Sequence, residues 1–137
     1  MKDENGNEYV MIQDLRIDVS CDALDFSQYY THIRKIDEIE GFGEFTDLKW
    51  LNLNFSHINK IEGLEHLTNL EYLSLEEIET SKIEGLENLT KLEHLSLAKN
   101  RISKIEGLEN LTNLKRLNLK ANSISEIEGL ENLKRLE

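Results

Sequence analysis

The sequence predicts a solenoid, a stack of 22-residue coils with one short strand in each. Three observations predict it. Glycine recurs at Gly41, Gly63, Gly85, Gly107 and Gly129, each 22 residues after the last, and a fixed period of this size marks a repeat architecture. Within each interval the apolar side chains fall at positions 1, 4, 7, 9, 14, 17 and 20, as in Leu89, Leu92, Leu95, Leu97, Ile102, Ile105 and Leu108. No single helical or strand period runs through an interval. One unit alone therefore cannot bury its apolar residues, whereas stacked copies merge them into a continuous core.

In chain order, residues 1–44 read as an N-terminal cap that includes a degenerate first repeat. Its apolar run Tyr9-Val10-Met11-Ile12 is followed by Leu15-Arg16-Ile17-Asp18-Val19, which alternates as a strand does. Ala23–Glu44 is the worn unit, set in the same 22-residue register. Residues 45–132 hold four full units: Phe45–His66, Leu67–Asn88, Leu89–Asn110 and Leu111–Asn132. In each, the alternation around the residues equivalent to Leu95 and Leu97 fits a strand. The stretch after each glycine suits a brief helical or 3-10 turn. Residues 133–137 begin another unit and stop. An uncapped coil exposes its core, so two expectations stand for this end: truncation of a longer array, or self-association through it.

The unit Leu89-x-x-Leu92-x-x-Leu95-x-Leu97-x-x-Asn100-x-Ile102-x-x-Ile105-Glu106-Gly107-Leu108 resembles the leucine-rich repeat. Its 22-residue length and Ile-Glu-Gly-Leu-Glu segment resemble the subclass typified by a regulatory subunit of a protein phosphatase. The resemblance implies the α/β class and a right-handed horseshoe solenoid. Its parallel β-sheet would lie on the concave face, with turns and short 3-10 segments on the convex face. At about 4.8 Å per strand, five coils would offer a surface suited to a peptide or one face of a small domain.

Two columns depart from the family pattern. Position 12, usually an Asn that satisfies buried turn backbone, reads Arg34, Ser56, Ile78, Asn100 and Asn122. Position 14 holds Thr80 where Ile is expected. The second full unit is thus doubly unusual, and two readings remain: tolerated drift with Ile78 turned inward, or a loosened, adaptable turn.

Neighbouring side chains alternate across a strand, so those left over from the core form the reading face. Position 6 supplies Gln28, Trp50, Tyr72, His94 and Arg116; position 8 supplies Tyr30, Asn52, Ser74, Ser96 and Asn118. The core columns barely change between units, whereas these vary. That variation is expected of a scaffold with a reading surface. Large aromatics and Arg make good interface anchors. The candidate protein-binding residues are Tyr30, Trp50, Asn52, Phe55, Tyr72, Glu76, His94, Lys99, Arg116 and Lys120. Their order predicts a face that is aromatic toward the N-terminus, acidic centrally and basic toward the C-terminus, able to steer a complementary partner. The glutamate columns Glu62, Glu84, Glu106, Glu128 and Glu65, Glu87, Glu109, Glu131 read as a solvated convex surface that resists aggregation.

A net charge of -11 disfavours nonspecific nucleic-acid binding and anionic membrane surfaces, which require clustered cations. The polar start Met1-Lys2-Asp3-Glu4 carries no apolar segment of signal type. The single cysteine, Cys21, allows no intrachain disulfide and points toward a reducing, cytoplasmic setting. His32, His57, His66 and His94 are too scattered for a metal-ligand set. Paired glutamates such as Glu76-Glu77 have no pocket to raise a pKa. No catalytic, cofactor or metal residue is assigned. Three functions compete: a protein or peptide-binding scaffold, including a phosphatase-regulator-like version; an internalin-like surface adhesin; and a structural array without a dedicated partner.

Overall fold

The computed structural model describes residues 1–6, 9–12, 15–18, 21–27, 33–39 and 41–137. Among these, β1 (Tyr9–Ile12) and β2 (Leu15–Asp18) form an antiparallel hairpin, Tyr9 facing Asp18 and Ile12 facing Leu15. Five further strands lie side by side in chain order, all parallel: β3 (Ala23–Asp25), β4 (Trp50–Asn52), β5 (Tyr72–Ser74), β6 (His94–Ser96) and β7 (Arg116–Asn118). Parallel neighbours in unbroken order require the chain to return to the same edge after each strand. That is the path of a solenoid of the α/β class, with its sheet on the concave side. Between coils the ladder runs wider than the strands themselves, since Leu53, Leu75 and Leu97 donate their N–H groups to Ser74, Ser96 and Asn118.

Equal positions of the full units stand side by side: Trp50 beside Tyr72, Tyr72 beside His94, His94 beside Arg116. The first step differs. Ala23 pairs with Trp50, and Asp25 with Asn52, so the worn unit reaches its strand earlier than a strict 22-residue register places it. The strand places assigned to Gln28 and Tyr30 belong to Ala23 and Asp25. Leu24 and Phe26 are the inward side chains there, both buried. The register of the later half is untouched, because Ile36 and Ile39 are buried and Gly41 keeps its left-handed conformation. An insertion between the two halves therefore left no mark on the glycine spacing.

That spacing has two physical causes. Gly41, Gly63, Gly85, Gly107 and Gly129 all adopt φ between 70° and 79°, a region that side chains with a Cβ seldom enter. Each of the last three also rests on the coil before it. A Cβ at Gly85 would stand 2.5 Å from the Ile61 carbonyl oxygen, and one at Gly107 would stand 2.8 Å from that of Ile83.

The first coil contains short 3-10 segments on either side of Gly41, at Ile36–Glu38 and Phe42–Glu44. The full units follow a similar path through separate turns: Leu111 N–H donates to Leu108 and Leu114 N–H to Leu111, at 3.0 and 2.9 Å. These bonds close every third residue and never consecutively, so among the described residues no full unit carries a 3-10 helix. Leu108, Leu111 and Leu114 still point inward, fully buried.

The core is one continuous column from Leu24 to Leu133, of leucine and isoleucine with Phe26, Phe42 and Phe45 toward its N-terminal end, each fully buried side chain contributing about 1.5–3 kcal/mol. A row is covered by the coils on both of its sides. Burial accordingly declines in the fourth full coil, where Leu117, Leu119 and Ile124 are partly buried and Ile127 is 84% exposed.

Buried polar groups are satisfied between coils as well. The Asn100 amide nitrogen donates to the Leu75 and Leu97 carbonyls, and its oxygen accepts the N–H groups of Ile78 and Thr80. Asn122 repeats the pattern toward Ile102, Leu97 and Leu119. The second full unit is therefore held by its neighbour's asparagine and not by its own position 12. Ile78 and Thr80 are both buried, and the Thr80 hydroxyl donates to Lys82 at 3.0 Å. The turn is tight and inward-packed. A further ladder runs along the outside: Asn88, Asn110 and Asn132 donate to the carbonyls of Glu65, Glu87 and Glu109.

Candidate functional site

The open face of the five-stranded sheet is built by alternation. On β4 and β6 the central leucine is buried, while the residues on either side of it are partly exposed. Position 6 then forms a row across the strands, Trp50, Tyr72, His94 and Arg116. Strand spacing of about 4.8 Å is close to the distance at which aromatic rings stack offset. The repeat geometry itself thus places Trp50 on Tyr72, with ring centroids 5.1 Å apart and planes 12° from parallel. Tyr72 and His94 continue the row at 6.1 Å with a 36° tilt. Trp50 and Tyr72 each cover one face of the other, and the surface left open to the solvent includes ring edges, which carry partial positive charge.

Beside this row the polar columns are tied to one another. Asn54 Oδ1 accepts the Ser74 hydroxyl at 2.8 Å and the Glu76 N–H at 2.7 Å. The Ser96 hydroxyl donates to Glu76 Oε1 at 2.5 Å. Asn52 accepts the Asn54 N–H, and Asn118 accepts the Lys120 N–H. These bonds fix the Glu76 carboxylate over the end of β6. Nothing in the sequence marks Asn54 as a hub, since its role depends on which side chain of the next coil lies opposite.

Position 11 ends each strand segment in a left-handed residue: Phe55, Glu77, Lys99 and Ala121 have φ of 61°, 55°, 56° and 56°. The scaffold imposes this turn at every full coil. Phe55 meets it with a bulky side chain that is 50% exposed.

Charges on this face pair between coils. Lys99 Nζ lies 2.6 Å from Glu77, and Lys115 Nζ lies 2.6 Å from Glu93. The hydrogen bond that the Lys99 ammonium donates to Glu77 holds it above its ordinary pKa. The hydrogen bond from Lys115 holds the Glu93 carboxyl below its own, against partial desolvation. The predicted gradient is thereby softened, because two of its cations are neutralised locally. Among the described residues Arg116 and Lys120, both exposed, carry no ion-pair partner.

An open groove of about 480 Å³ crosses β5 to β7, lined by Tyr72, Glu76, His94, Ser96, Arg116 and Asn118 among others. Of the candidate residues, Trp50 and Asn52 lie on β4, Tyr72 on β5, His94 on β6 and Arg116 on β7. Phe55, Glu76, Lys99 and Lys120 follow the strand ends. Tyr30 lies outside the described residues. Ser96 and Asn118 line the groove, although sequence reasoning left them out of the candidate set. Among the described residues no three His, Cys, Asp or Glu side chains cluster to hold a metal ion.

Residues 90–132 match a family model of leucine-rich repeats in two copies. No curated protein sequence matches the chain. Among solved structures, an internalin of Listeria monocytogenes is similar with a TM-score of 0.75 and 30% identity, over 90% of this chain and 36% of that one. A leucine-rich-repeat protein of Leptospira interrogans is similar with a TM-score of 0.59 and 30% identity, over 69% of this chain and 26% of that one. A second Listeria internalin shares the fold at 23% identity and a TM-score of 0.65, over 72% of this chain and 53% of its own length. The chain thus spans about a quarter to a half of the length of these neighbours.

Proposed function

Because the chain is a leucine-rich-repeat protein, and such repeats serve as protein-interaction scaffolds, we propose that it binds a protein or peptide through the concave face of its sheet. The observation that carries this reading is the row of Trp50, Tyr72 and His94, stacked on the open side of the strands and not in the core. An aromatic row there is a rigid anchor whose ordering cost is met before a partner arrives. The reading is of a binding module, with no catalytic role for these residues. Its test is binding of the partner to Trp50→Ala and Tyr72→Ala variants whose strand content by circular dichroism is unchanged. Loss of binding is expected; full binding by both would refute the assignment of the surface.

Two settings fit this reading. One is a cytoplasmic regulatory scaffold of the phosphatase-regulator kind, supported by the 22-residue unit with its Ile-Glu-Gly-Leu-Glu segment and by the single cysteine. The other is an internalin-like surface adhesin, supported by 30% identity to a Listeria internalin over 90% of this chain. Signal and anchor sequences in the complete gene would select the second setting, and localisation of the full-length protein decides between them.

A further inference from the structure

On the reading that the concave face binds a partner, we propose that the groove over β5 to β7 takes an extended peptide segment of defined chemistry. An internal acidic side chain of that segment pairs with Arg116, and an apolar side chain two residues away packs on the edges of Tyr72 and His94.

Charge is the first support. The chain carries 27 acidic and 16 basic residues. Two cations of the concave columns are already matched, Lys99 by Glu77 and Lys115 by Glu93, while Lys120 is unpaired among the described residues but does not line the groove. Arg116 stands in the same row as His94, one strand on, exposed and without an ion-pair partner among the described residues. Glu137 reaches the outer edge of the groove, its backbone N–H on the Lys115 carbonyl at 2.9 Å, without forming an ion pair with Arg116. A planar guanidinium left open beside aromatic edges matches a carboxylate. Glu76, on the opposite rim, is already engaged by the Ser96 hydroxyl and repels a second anion, which directs the acid to the Arg116 side.

Spacing is the second support. Strands lie about 4.8 Å apart, so the midpoint between Tyr72 and His94 is about 7 Å from the Arg116 column. Two residues of an extended chain span about 6.6 Å and point to the same side. A segment crossing the strands therefore places an apolar residue on the rings and an acidic residue on Arg116 when the two are at i and i+2. The groove is open, so the chain passes through it, and the acid is a side chain within the segment and not a terminal carboxylate.

The experiment is selection of random heptapeptides, flanked on both sides by Gly-Ser spacers, against the full chain. The enriched peptides are then synthesised with amidated ends. Enrichment of an apolar-x-Asp/Glu pattern is expected. Arg116→Gln should weaken binding about tenfold, and replacing the peptide's acid by its amide should do the same without adding to the Arg116→Gln loss. Enriched peptides that lack an acid, or that bind Arg116→Gln as well as the parent, overturn the proposal. If such peptides still lose binding in Tyr72→Ala, the concave-face reading survives and only the acidic partner is refuted. If nothing is enriched, or binding depends on neither residue, both fall.

Discussion

The amide oxygen of Asn100 accepts the backbone N–H of Ile78 at 3.1 Å, so a side chain of one coil closes the turn of the coil before it. The same oxygen takes the Thr80 N–H at 3.2 Å, and the amide nitrogen reaches the Leu75 carbonyl at 2.8 Å. Asn100 is 8% exposed, and little water can replace it. Asn100→Ala should cost about 3 kcal/mol in urea unfolding, the penalty for several buried backbone groups left unpaired. Asn122→Ala should cost less, since Asn122 is only partly buried. Amide hydrogen exchange at Ile78 and Thr80 should be slow in the parent chain and fast in Asn100→Ala. Fast exchange in the parent would show the turn to be loose.

Gly85 combines a left-handed φ of 70° with a close approach to the coil before it: a methyl carbon on its Cα would lie 2.5 Å from the Ile61 oxygen. Gly85→Ala should lower stability by at least about 1–2 kcal/mol from the backbone conformation alone, with more from the clash. Gly43, which has open space around its Cβ position and no left-handed φ, is the control, and Gly43→Ala should be neutral within about 0.5 kcal/mol. Thermal melts of the two variants check the contrast.

Phe55 occupies a left-handed position with half of its surface in water. Asparagine tolerates that conformation better than a bulky side chain does. Phe55→Asn should therefore leave stability unchanged or raise it by up to about 1 kcal/mol, while weakening any partner that uses the exposed ring. A clear fall in melting temperature would mean that Phe55 packs for stability.

Glu93 titrates below the usual carboxylate range because Lys115 donates a hydrogen bond to it. A group whose folded-state pKa is depressed stabilises the fold above its unfolded value, about 4.3 for Glu, and that contribution disappears as pH falls through the lowered folded value. The side-chain carboxyl of Glu93, followed by NMR, should show its midpoint below the ordinary value and move upward in Lys115→Ala, where desolvation is opposed only by the more distant charges of Arg135 and His94. An unchanged midpoint in that variant would exclude the pair as the cause.

Much of the fold was legible because each coil repeats the same chemistry. The core columns, the strand at positions 6 to 8 and the open row Trp50, Tyr72, His94 and Arg116 follow from spacing alone once like positions are set side by side. The first unit was misread for a specific reason: its glycine and isoleucines keep the 22-residue register, while an insertion moves the strand from Gln28 and Tyr30 to Ala23 and Asp25. In the second unit, the loss of Asn at position 12 left two readings, an inward-turned Ile78 or a loosened turn; Ile78 is buried, and its N–H is taken by the asparagine of the next coil. A local pattern does not reveal a satisfaction supplied from 22 residues away.

The sequence by itself determined the repeat, its period and which side chains are apolar at which step, since these are properties of spacing and composition. Only the tertiary structure decided how coils contact one another: ring stacking of Trp50 on Tyr72, capture of Ile78 by Asn100, neutralisation of Lys99 and Lys115, and the exposure left to Arg116. Those depend on distances between residues remote in the chain, which stacking sets at about 4.8 Å and no linear pattern contains.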